Sequence, residues 1–169
     1  AKGAGFCVPG ARTILDVGGQ DSKVISLDDN GRVAQFQMND KCAAGTGRFL
    51  EIMAGSLGYS LGEFSTAASK STQDIPINSM CAVFAESEIV SLRNRGYAAA
   101  DIARAIHLAI SDRLGGMLER NGIQDTVVFT GGVANNRLLV DMLADKIGRP
   151  IVVPDHPEIV GAIGAALHR

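Results

Sequence analysis

The stretch Arg12-Thr-Ile-Leu-Asp-Val-Gly-Gly-Gln-Asp-Ser-Lys23 decides the fold prediction, because an apolar run in it ends in two glycines. Residues 12–17 are predicted to form a short buried strand that ends at Gly18-Gly19, and residues 22–28 a second strand. Asp28-Asp-Asn-Gly31 has the residue types of a tight turn, and residues 32–38 alternate as a third strand. The segment is therefore predicted to be a β-meander with a glycine turn between its first two strands.

The rest of the chain predicts helices, followed by alternating strands and helices. Apolar residues at three- and four-residue spacing predict helices over about 46–57 and 82–95, and a long helix that includes 102–118. Ser60-Leu-Gly-Glu63 has the spacing of a capping box and opens a short helix, whereas most of 65–79 is predicted to be loop. Strands are predicted at 127–129 and 151–153, and helices at 133–147 and 158–167. The order of elements predicts an α/β domain.

The composition describes one ordinary globular domain and excludes several classes of protein. The 169 residues are 46% hydrophobic, and 16 Lys and Arg face 18 Asp and Glu. That balance excludes a disordered chain and gives no case for a nucleic-acid or membrane-surface partner. The longest apolar run, residues 159–167, is far shorter than the ~20 residues that span a bilayer. Three cysteines are an odd number, which favours reduced thiols or metal ligands in a cytoplasmic protein.

A second glycine pair lies in Phe129-Thr-Gly-Gly-Val-Ala-Asn-Asn136. Without a Cβ, glycine allows the backbone N–H groups to approach phosphate oxygens closely. Gly131-Gly132 precedes a predicted helix, whose N-terminus adds attraction for an anion. Gly18-Gly19 fits a strand–turn–strand phosphate clip instead, with Asp16 placed to hold a metal-bound water and Lys23 as a counter-charge. Either pair alone is equally explained as a tight turn, and neither is a Walker sequence or a GxGxxG.

Two of the three cysteines precede predicted helices. Cys42 lies in Asn39-Asp-Lys-Cys-Ala-Ala-Gly-Thr-Gly47, and Cys81 begins the helix over 82–95. A helix N-terminus favours the thiolate, which is the metal-binding form. The alternative is that each is a small buried apolar residue. Two ligands cannot complete a tetrahedral site, but two copies of the chain supply the four that an iron–sulfur cluster requires, which predicts a homodimer. Cys7 lies in a weakly structured context and is predicted to have no special role.

Five stretches of the sequence, in the same order, resemble one family from about Arg12 onward. The family comprises the activator ATPases of 2-hydroxyacyl-CoA dehydratases, together with the ATPase subunits of benzoyl-CoA reductase. The cysteine-bearing stretches are the most specific part of the resemblance. The stretches are Asp16-Val-Gly-Gly-Gln-Asp-Ser-Lys23, Asn39-Asp-Lys-Cys-Ala-Ala-Gly-Thr-Gly-Arg-Phe-Leu-Glu51, Cys81-Ala-Val-Phe-Ala-Glu-Ser-Glu88, Thr130-Gly-Gly-Val-Ala-Asn-Asn136 and Gly161-Ala-Ile-Gly-Ala-Ala-Leu167.

The resemblance implies an actin-like ATPase fold (ribonuclease H-like, shared with Hsp70 and sugar kinases), in which two domains clasp ATP and Mg²⁺. Residues 12–169 then correspond mainly to the second ATPase domain, and residues 1–11 to a remnant of the first. The family's first phosphate loop, Asp-x-Gly-Ser-Thr-x-x-Lys, does not occur in this sequence. The resemblance also implies a homodimer that shares one [4Fe–4S] cluster, with Cys42 and Cys81 as the ligands from each subunit.

The resemblance further implies the roles of individual residues and the partners. Asp16 and Gln20 are expected to be catalytic. Such activators take an electron from ferredoxin or flavodoxin and pass it to the dehydratase or a related reductase, while ATP binding and hydrolysis change the shape of the dimer. Two alternatives remain: a sugar- or acid-kinase-like phosphotransferase of the same superfamily, which leaves the cysteines without a role, and a non-catalytic binding module. The residues expected to bind ATP or ADP are Gly18, Gly19, Gln20, Asp21, Lys23, Gly45, Thr46, Gly47, Glu86, Gly131, Gly132 and Asn135.

Overall fold

The computed structural model describes residues 1–77 and 81–167, which form one five-stranded sheet and the helices around it. The strands lie in the order β3–β2–β1–β4–β5. Their bounds are β1 Thr13–Val17, β2 Ser22–Leu27, β3 Val33–Asn39, β4 Val127–Thr130 and β5 Ile151–Val152. The α-helices are α1 Lys2–Cys7, α2 Gly47–Leu57, α3 Leu61–Lys70, α4 Ala82–Asn94, α5 Ala99–Asn121, α6 Arg137–Ile147 and α7 Val160–Ala166.

The predicted β-meander is confirmed, and β4 joins its first strand. β1 pairs antiparallel with β2, and β2 pairs antiparallel with β3. On its other side β1 pairs in parallel with β4, with Leu15 opposite Phe129. Because parallel strands end at the same edge of a sheet, the glycine turns that follow β1 and β4 lie side by side.

The alternation of side chains along β1 divides the molecule into two layers of unequal size. Leu15 and Val17 face the main core, which helices α2 to α6 complete. Ile14 faces the opposite side, where α1 and α7 form a smaller cluster around Ala4 and Val160. The long predicted helix is α5, and its apolar residues at four-residue spacing are all buried: Ile102, Ile106, Ile110, Leu114 and Leu118.

Helix α3 corrects the prediction of loop over most of 65–79. It continues to Lys70, because Phe64 and Ala68, one turn apart, are buried and hold the helix against α5. With two buried residues among polar ones, the periodic signal is too weak to predict the last turns. The predicted capping box is present, since the Ser60 hydroxyl accepts from the Glu63 backbone and the Glu63 carboxylate accepts from the Ser60 backbone. Residues 71–77 have no regular structure, and 78–79 lie outside the described residues.

Three smaller differences concern the helices that follow β4 and β5 and the helix at the start of the chain. The predicted helix over 133–147 is a 3₁₀ turn, Gly132–Asn135, followed by α6, and the predicted helix over 158–167 is likewise a 3₁₀ turn, Pro157–Ile159, followed by α7. Cys7 ends helix α1, so its predicted weakly structured context is wrong. A Cβ on Gly3 would lie 2.0 Å from the Val160 carbonyl oxygen, which shows how closely α1 packs on α7. The assignment of residues 1–11 to a remnant of another domain stays a prediction.

Among the described helices, none combines the length and the apolar character needed to cross a membrane.

Candidate functional site

A cavity of about 570 Å³ opens at the edge of the sheet where β1 and β4 end. Both glycine turns contribute to it, and its walls are the first half of α2, the first half of α3 and the beginning of α6. Apolar side chains alternate with hydroxyl and amide groups along these walls. The lining residues are Gly18, Gly19, Gly47, Leu50, Glu51, Leu61, Gly62, Ser65, Thr66, Gly132, Val133, Asn135, Asn136 and Arg137.

The first glycine turn is held by the start of α2. The backbone N–H groups of Gly47 and Arg48 donate to the carbonyl oxygens of Gly18 and Gly19, at 2.9 and 2.8 Å. A Cβ on Gly47 would lie 3.2 Å from the Gly18 oxygen and 3.3 Å from the Gly19 Cα, so any larger residue would have to displace the turn by a few tenths of an ångström. The structure therefore brings three of the predicted nucleotide-binding residues, Gly18, Gly19 and Gly47, to one wall of the cavity.

The second glycine turn contains two glycines with different roles. Gly131 has φ +87°, and a Cβ on it would lie 2.2 Å from the Val17 carbonyl oxygen of the neighbouring strand. It is buried and does not line the cavity, so the packing of β4 against β1 explains this glycine. Gly132 is exposed, lines the cavity and has open space around it. Of the two glycines in this second turn, only Gly132 thus offers backbone to a ligand in the cavity.

A polar cluster lies at the carboxyl end of β1, on the α1 and α7 side of the sheet. Lys23 Nζ lies 2.7 Å from Asp21 Oδ2 and 3.5 Å from Asp16 Oδ2, while the Thr130 hydroxyl donates to Asp16 Oδ1 at 2.8 Å. Burial acts to lower the pKa of Lys23, but the hydrogen bond to Asp21 and the charges of both carboxylates outweigh it, so the pKa is raised. Lys23, predicted as a counter-charge beside the phosphate clip, pairs with Asp21 and Asp16 in the structure. Asp16 lines a neighbouring depression of about 490 Å³ and not the 570 Å³ cavity.

The two cysteines of interest both reach the surface. Cys81 is exposed and forms the N-cap of α4, and Cys42 is half-buried in the turn before α2. The Asn39 side chain donates to the Cys42 carbonyl oxygen at 2.9 Å and fixes this turn. The alternative reading, a small buried apolar residue, is therefore wrong for Cys81. The described residues contain no group of three or more His, Cys, Asp or Glu side chains that could hold a metal ion.

Several predicted nucleotide-binding residues lie elsewhere. Gln20 lines a shallow depression of about 170 Å³ together with Cys42. Gly45 (φ +80°) and the buried Thr46 shape the backbone between Cys42 and α2, where the Thr46 hydroxyl donates to the Ala43 carbonyl oxygen. Glu86 accepts from the Ser56 hydroxyl at 3.1 Å, on the surface between α4 and α2. The structure does not bring these residues into the cavity.

Asn135, which is predicted to bind nucleotide, lines the cavity, and so do Asn136, Ser65 and Thr66, which are not among the predicted site residues. Asn136 caps α6 by accepting from the Leu139 N–H at 3.1 Å, and the Ser65 hydroxyl donates to the same amide oxygen at 3.0 Å. An asparagine just before an apolar run is a recognisable N-cap signal, which identifies Asn136. Ser65 and Thr66 gave no such signal, because they lie in the segment predicted to be loop.

Comparisons with known proteins find a matching family model, similar sequences and similar solved structures. The family model described as BadF/BadG/BcrA/BcrD ATPase family matches residues 1–168. The activator of lactoyl-CoA dehydratase from Anaerotignum propionicum is 48% identical over 99% of this chain, and the 2-hydroxyisocaproyl-CoA dehydratase activator from Clostridioides difficile is 45% identical over the same share. The solved structure of the activator of the 2-hydroxyisocaproyl-CoA dehydratase from Clostridium difficile, with bound ADPNP, superimposes on 99% of this chain with a TM-score of 0.93 and 45% identity.

The chain spans 65% of the length of the lactoyl-CoA dehydratase activator, 63% of the length of the 2-hydroxyisocaproyl-CoA dehydratase activator and 62% of the solved chain. The similarity in structure confirms the predicted actin-like ATPase fold.

Proposed function

This chain belongs to the BadF/BadG/BcrA/BcrD ATPase family, and from that premise we propose that it is the nucleotide-responsive part of an ATP-dependent activator of a 2-hydroxyacyl-CoA dehydratase or a related reductase. One observation carries the proposal. The glycine turn at the cavity is hydrogen-bonded to the first residues of α2, and the turn that holds Cys42 leads directly into that helix. A nucleotide site and a thiol site are thereby joined through a few residues of backbone.

ATP or ADP is the proposed occupant of the cavity. The exposed Gly132 and the Gly18–Gly19 turn lie at the ends of two parallel strands, where backbone N–H groups meet phosphate oxygens. The wall formed by Leu50, Leu61 and Val133 is apolar and suits the flat face of a base. The hydroxyl and amide groups of α3 and α6 provide the polar contacts that fix the orientation of a nucleoside.

Asp16 is the proposed catalytic carboxylate. It lies on the other side of the glycine turn from the cavity, so it can act only on the end of a nucleotide that projects past Gly18. Thr130 holds Oδ1 of the carboxylate, and Oδ2, which lies 3.5 Å from Lys23 Nζ, is the oxygen proposed to orient an attacking water. Asp16 and Asp21 are also the proposed contacts of Mg²⁺, since carboxylate oxygens and phosphates are its preferred ligands. Lys23 pairs with both carboxylates, and its single positive charge balances one of the two negative charges.

Cys42 and Cys81 are the proposed ligands of a [4Fe–4S] cluster shared with a second copy of the chain. Both thiols reach the surface, and two per chain make the four thiolates that such a cluster takes. Phe84, one turn along α4 from Cys81, is 66% exposed and offers apolar area to a second subunit. When bound, a cluster of this type stores and releases single electrons, which we propose come from ferredoxin or flavodoxin.

The coupling between the two sites is proposed to follow the backbone. ATP and ADP differ by one phosphoryl group, so a change of shape requires contacts that distinguish them. The Gly18–Gly19 turn, which we propose contacts the phosphates, is hydrogen-bonded to α2, and Gln20 of the same turn borders the depression that contains Cys42. A shift of this turn on hydrolysis is thereby transmitted to the residues that hold Cys42.

The test compares three cysteine variants, each purified without oxygen. We expect Cys42→Ser and Cys81→Ser to lose the iron and the visible absorbance of the wild type, about two irons per chain, while the affinity for ATP in calorimetry stays unchanged. Cys7→Ser is the matched control, because Cys7 packs in the smaller cluster with α7 and is expected to keep its iron. Full iron content in both Cys42→Ser and Cys81→Ser contradicts the proposal.

A further inference from the structure

A buried histidine stands behind the wall of the cavity. His107, in the middle of α5, is fully buried, and its ring lies against Phe64 of α3 with a centroid distance of 4.7 Å. Its Nδ1 is 2.8 Å from the Ala103 carbonyl oxygen, and its Nε2 is 3.0 Å from the Asn136 side-chain nitrogen. The histidine thus connects α5 to a residue that lines the cavity.

The partners determine where the ring proton lies. A carbonyl oxygen only accepts, so Nδ1 must carry the hydrogen that reaches Ala103. In the neutral ring Nε2 is then an acceptor, and the Asn136 amide must turn its NH₂ group toward it. That orientation leaves the Asn136 oxygen for the Leu139 N–H and the Ser65 hydroxyl, as observed. Every contact agrees with one tautomer and one orientation of the amide.

We propose that His107 is a positioning residue for nucleotide binding, which fixes the Asn136 side chain at the nucleoside end of the cavity. The inference rests on the proposed function, because it assigns ATP to that cavity. Asn136 and Ser65 line the cavity at the start of α6 and on α3, together with Leu61 of the apolar wall proposed to contact the base. Loss of the hydrogen bond to His107 frees the Asn136 side chain and leaves the backbone of the two glycine turns in place. We therefore expect weaker contacts with the base and sugar and unchanged contacts with the phosphates.

The chemistry of the side chains provides a matched set of variants. Gln at position 107 places an amide oxygen near the position of Nε2 and keeps an acceptor for Asn136. The shorter side chain in His107→Asn extends only to the position of Nδ1, so it keeps the hydrogen bond to Ala103 and loses the one to Asn136. His107→Phe keeps a ring against Phe64 and loses both hydrogen bonds. The first probe is ATP with Mg²⁺, and the second is inorganic tripolyphosphate with Mg²⁺, which has no base or sugar.

We expect His107→Asn and His107→Phe to bind ATP roughly five- to ten-fold more weakly than the wild type, because both variants lose the acceptor for the Asn136 NH₂ group and leave that donor unpaired. His107→Gln is expected to stay within about two-fold for ATP, and all three variants within about two-fold for tripolyphosphate. A purely structural role predicts equal losses for both probes, with Gln as damaging as Asn.

Equal ATP affinities for the wild type, His107→Asn and His107→Phe overturn the inference and leave the proposed function intact. A wild type that binds neither probe overturns the proposed function and this inference together. A measurement on the unaltered protein covers the case in which a variant does not fold: two-bond ¹H–¹⁵N NMR spectra report which ring nitrogen carries the proton. A proton on Nδ1 alone supports the inference, and a proton on Nε2 overturns it.

Discussion

The backbone N–H of Gly47, the first residue of α2, donates a 2.9 Å hydrogen bond to the carbonyl oxygen of Gly18. The first N–H groups of an α-helix have no partners within the helix, so this one is satisfied by the glycine turn at the end of β1. The contact is between two backbones, and no side chain separates them. A displacement of the Gly18–Gly19 turn is therefore transmitted directly to the backbone of α2.

Gly47→Ala is the first test of this contact. The added Cβ would lie 3.2 Å from the Gly18 oxygen and 3.3 Å from the Val133 side chain, so the turn must shift. We expect a weaker affinity for ATP, by about ten-fold, measured by calorimetry. Gly55→Ala in the same helix is the control, because nothing lies within 4 Å of its Cβ. That change is expected to stabilise the protein by roughly 0.5–1 kcal/mol in urea unfolding and to leave ATP binding unchanged.

The two glycines of the second turn give opposite predictions. In Gly131→Ala an alanine must adopt a φ of +87°, and its Cβ would lie 2.2 Å from the Val17 oxygen. We therefore expect urea unfolding to show a free energy of unfolding that is lower by about 3 kcal/mol or more. Gly132→Ala has open space and is expected to fold like the wild type, with an effect confined to the nucleotide. A stable Gly131→Ala protein contradicts the close approach of β4 to β1.

Local patterns were enough to predict the meander and α5. The alternation in β3 and the four-residue repeat from Ile102 to Leu118 are each visible within a short window. The meeting of the two glycine turns is different, because Asp16 and Thr130 are 114 residues apart. Only the parallel pairing of β1 with β4 brings them together, and no single window of sequence contains that pairing.

The limits of the site prediction have the same origin. The residue types around Asp16 indicated phosphate and metal chemistry, but the side of the sheet that Asp16 faces depends on which helices cover each face. The exposure of Cys81 likewise depends on tertiary packing, since the same sequence pattern fits a buried cysteine. Glu86 lies in a stretch that resembles the family, yet α4 places it against Ser56.

Asp16→Asn separates catalysis from binding. The amide is a poorer acceptor for water and does not bind Mg²⁺ as a carboxylate does, so ATP turnover is expected to fall about 100-fold or more. ATP affinity is expected to stay within a few-fold, since Asp16 does not line the cavity. Thr130→Val keeps the carboxylate and removes its 2.8 Å hydrogen bond, so an intermediate turnover is expected. Phosphate release and calorimetry on the same samples measure both quantities, and a parallel loss of affinity would instead make Asp16 a binding residue.

The burial of His107 predicts a specific dependence of stability on pH. Burial lowers the pKa of His107 below its ordinary 6.5, more than the hydrogen bond to Ala103 raises it. In the unfolded chain the ring gains a proton as the pH falls through about 6.5, whereas in the folded protein it stays neutral to lower pH. Its contribution to the free energy of unfolding is therefore fully present above that value and is lost as the pH falls toward the folded-state pKa.

Urea unfolding of the wild type and His107→Gln between about pH 5 and pH 8 measures this contribution, because that range includes the ordinary pKa of histidine. The difference in free energy of unfolding between the two proteins is expected to be constant above about pH 7. Below about pH 6.5 the wild type is expected to lose stability relative to His107→Gln, by up to about 1.4 kcal/mol per pH unit. The exposed His156, which lies 3.7 Å from Glu158, is present in both proteins and cancels. A difference independent of pH means that His107 is not held neutral by its surroundings, and it removes the physical basis for its hydrogen bond to Asn136.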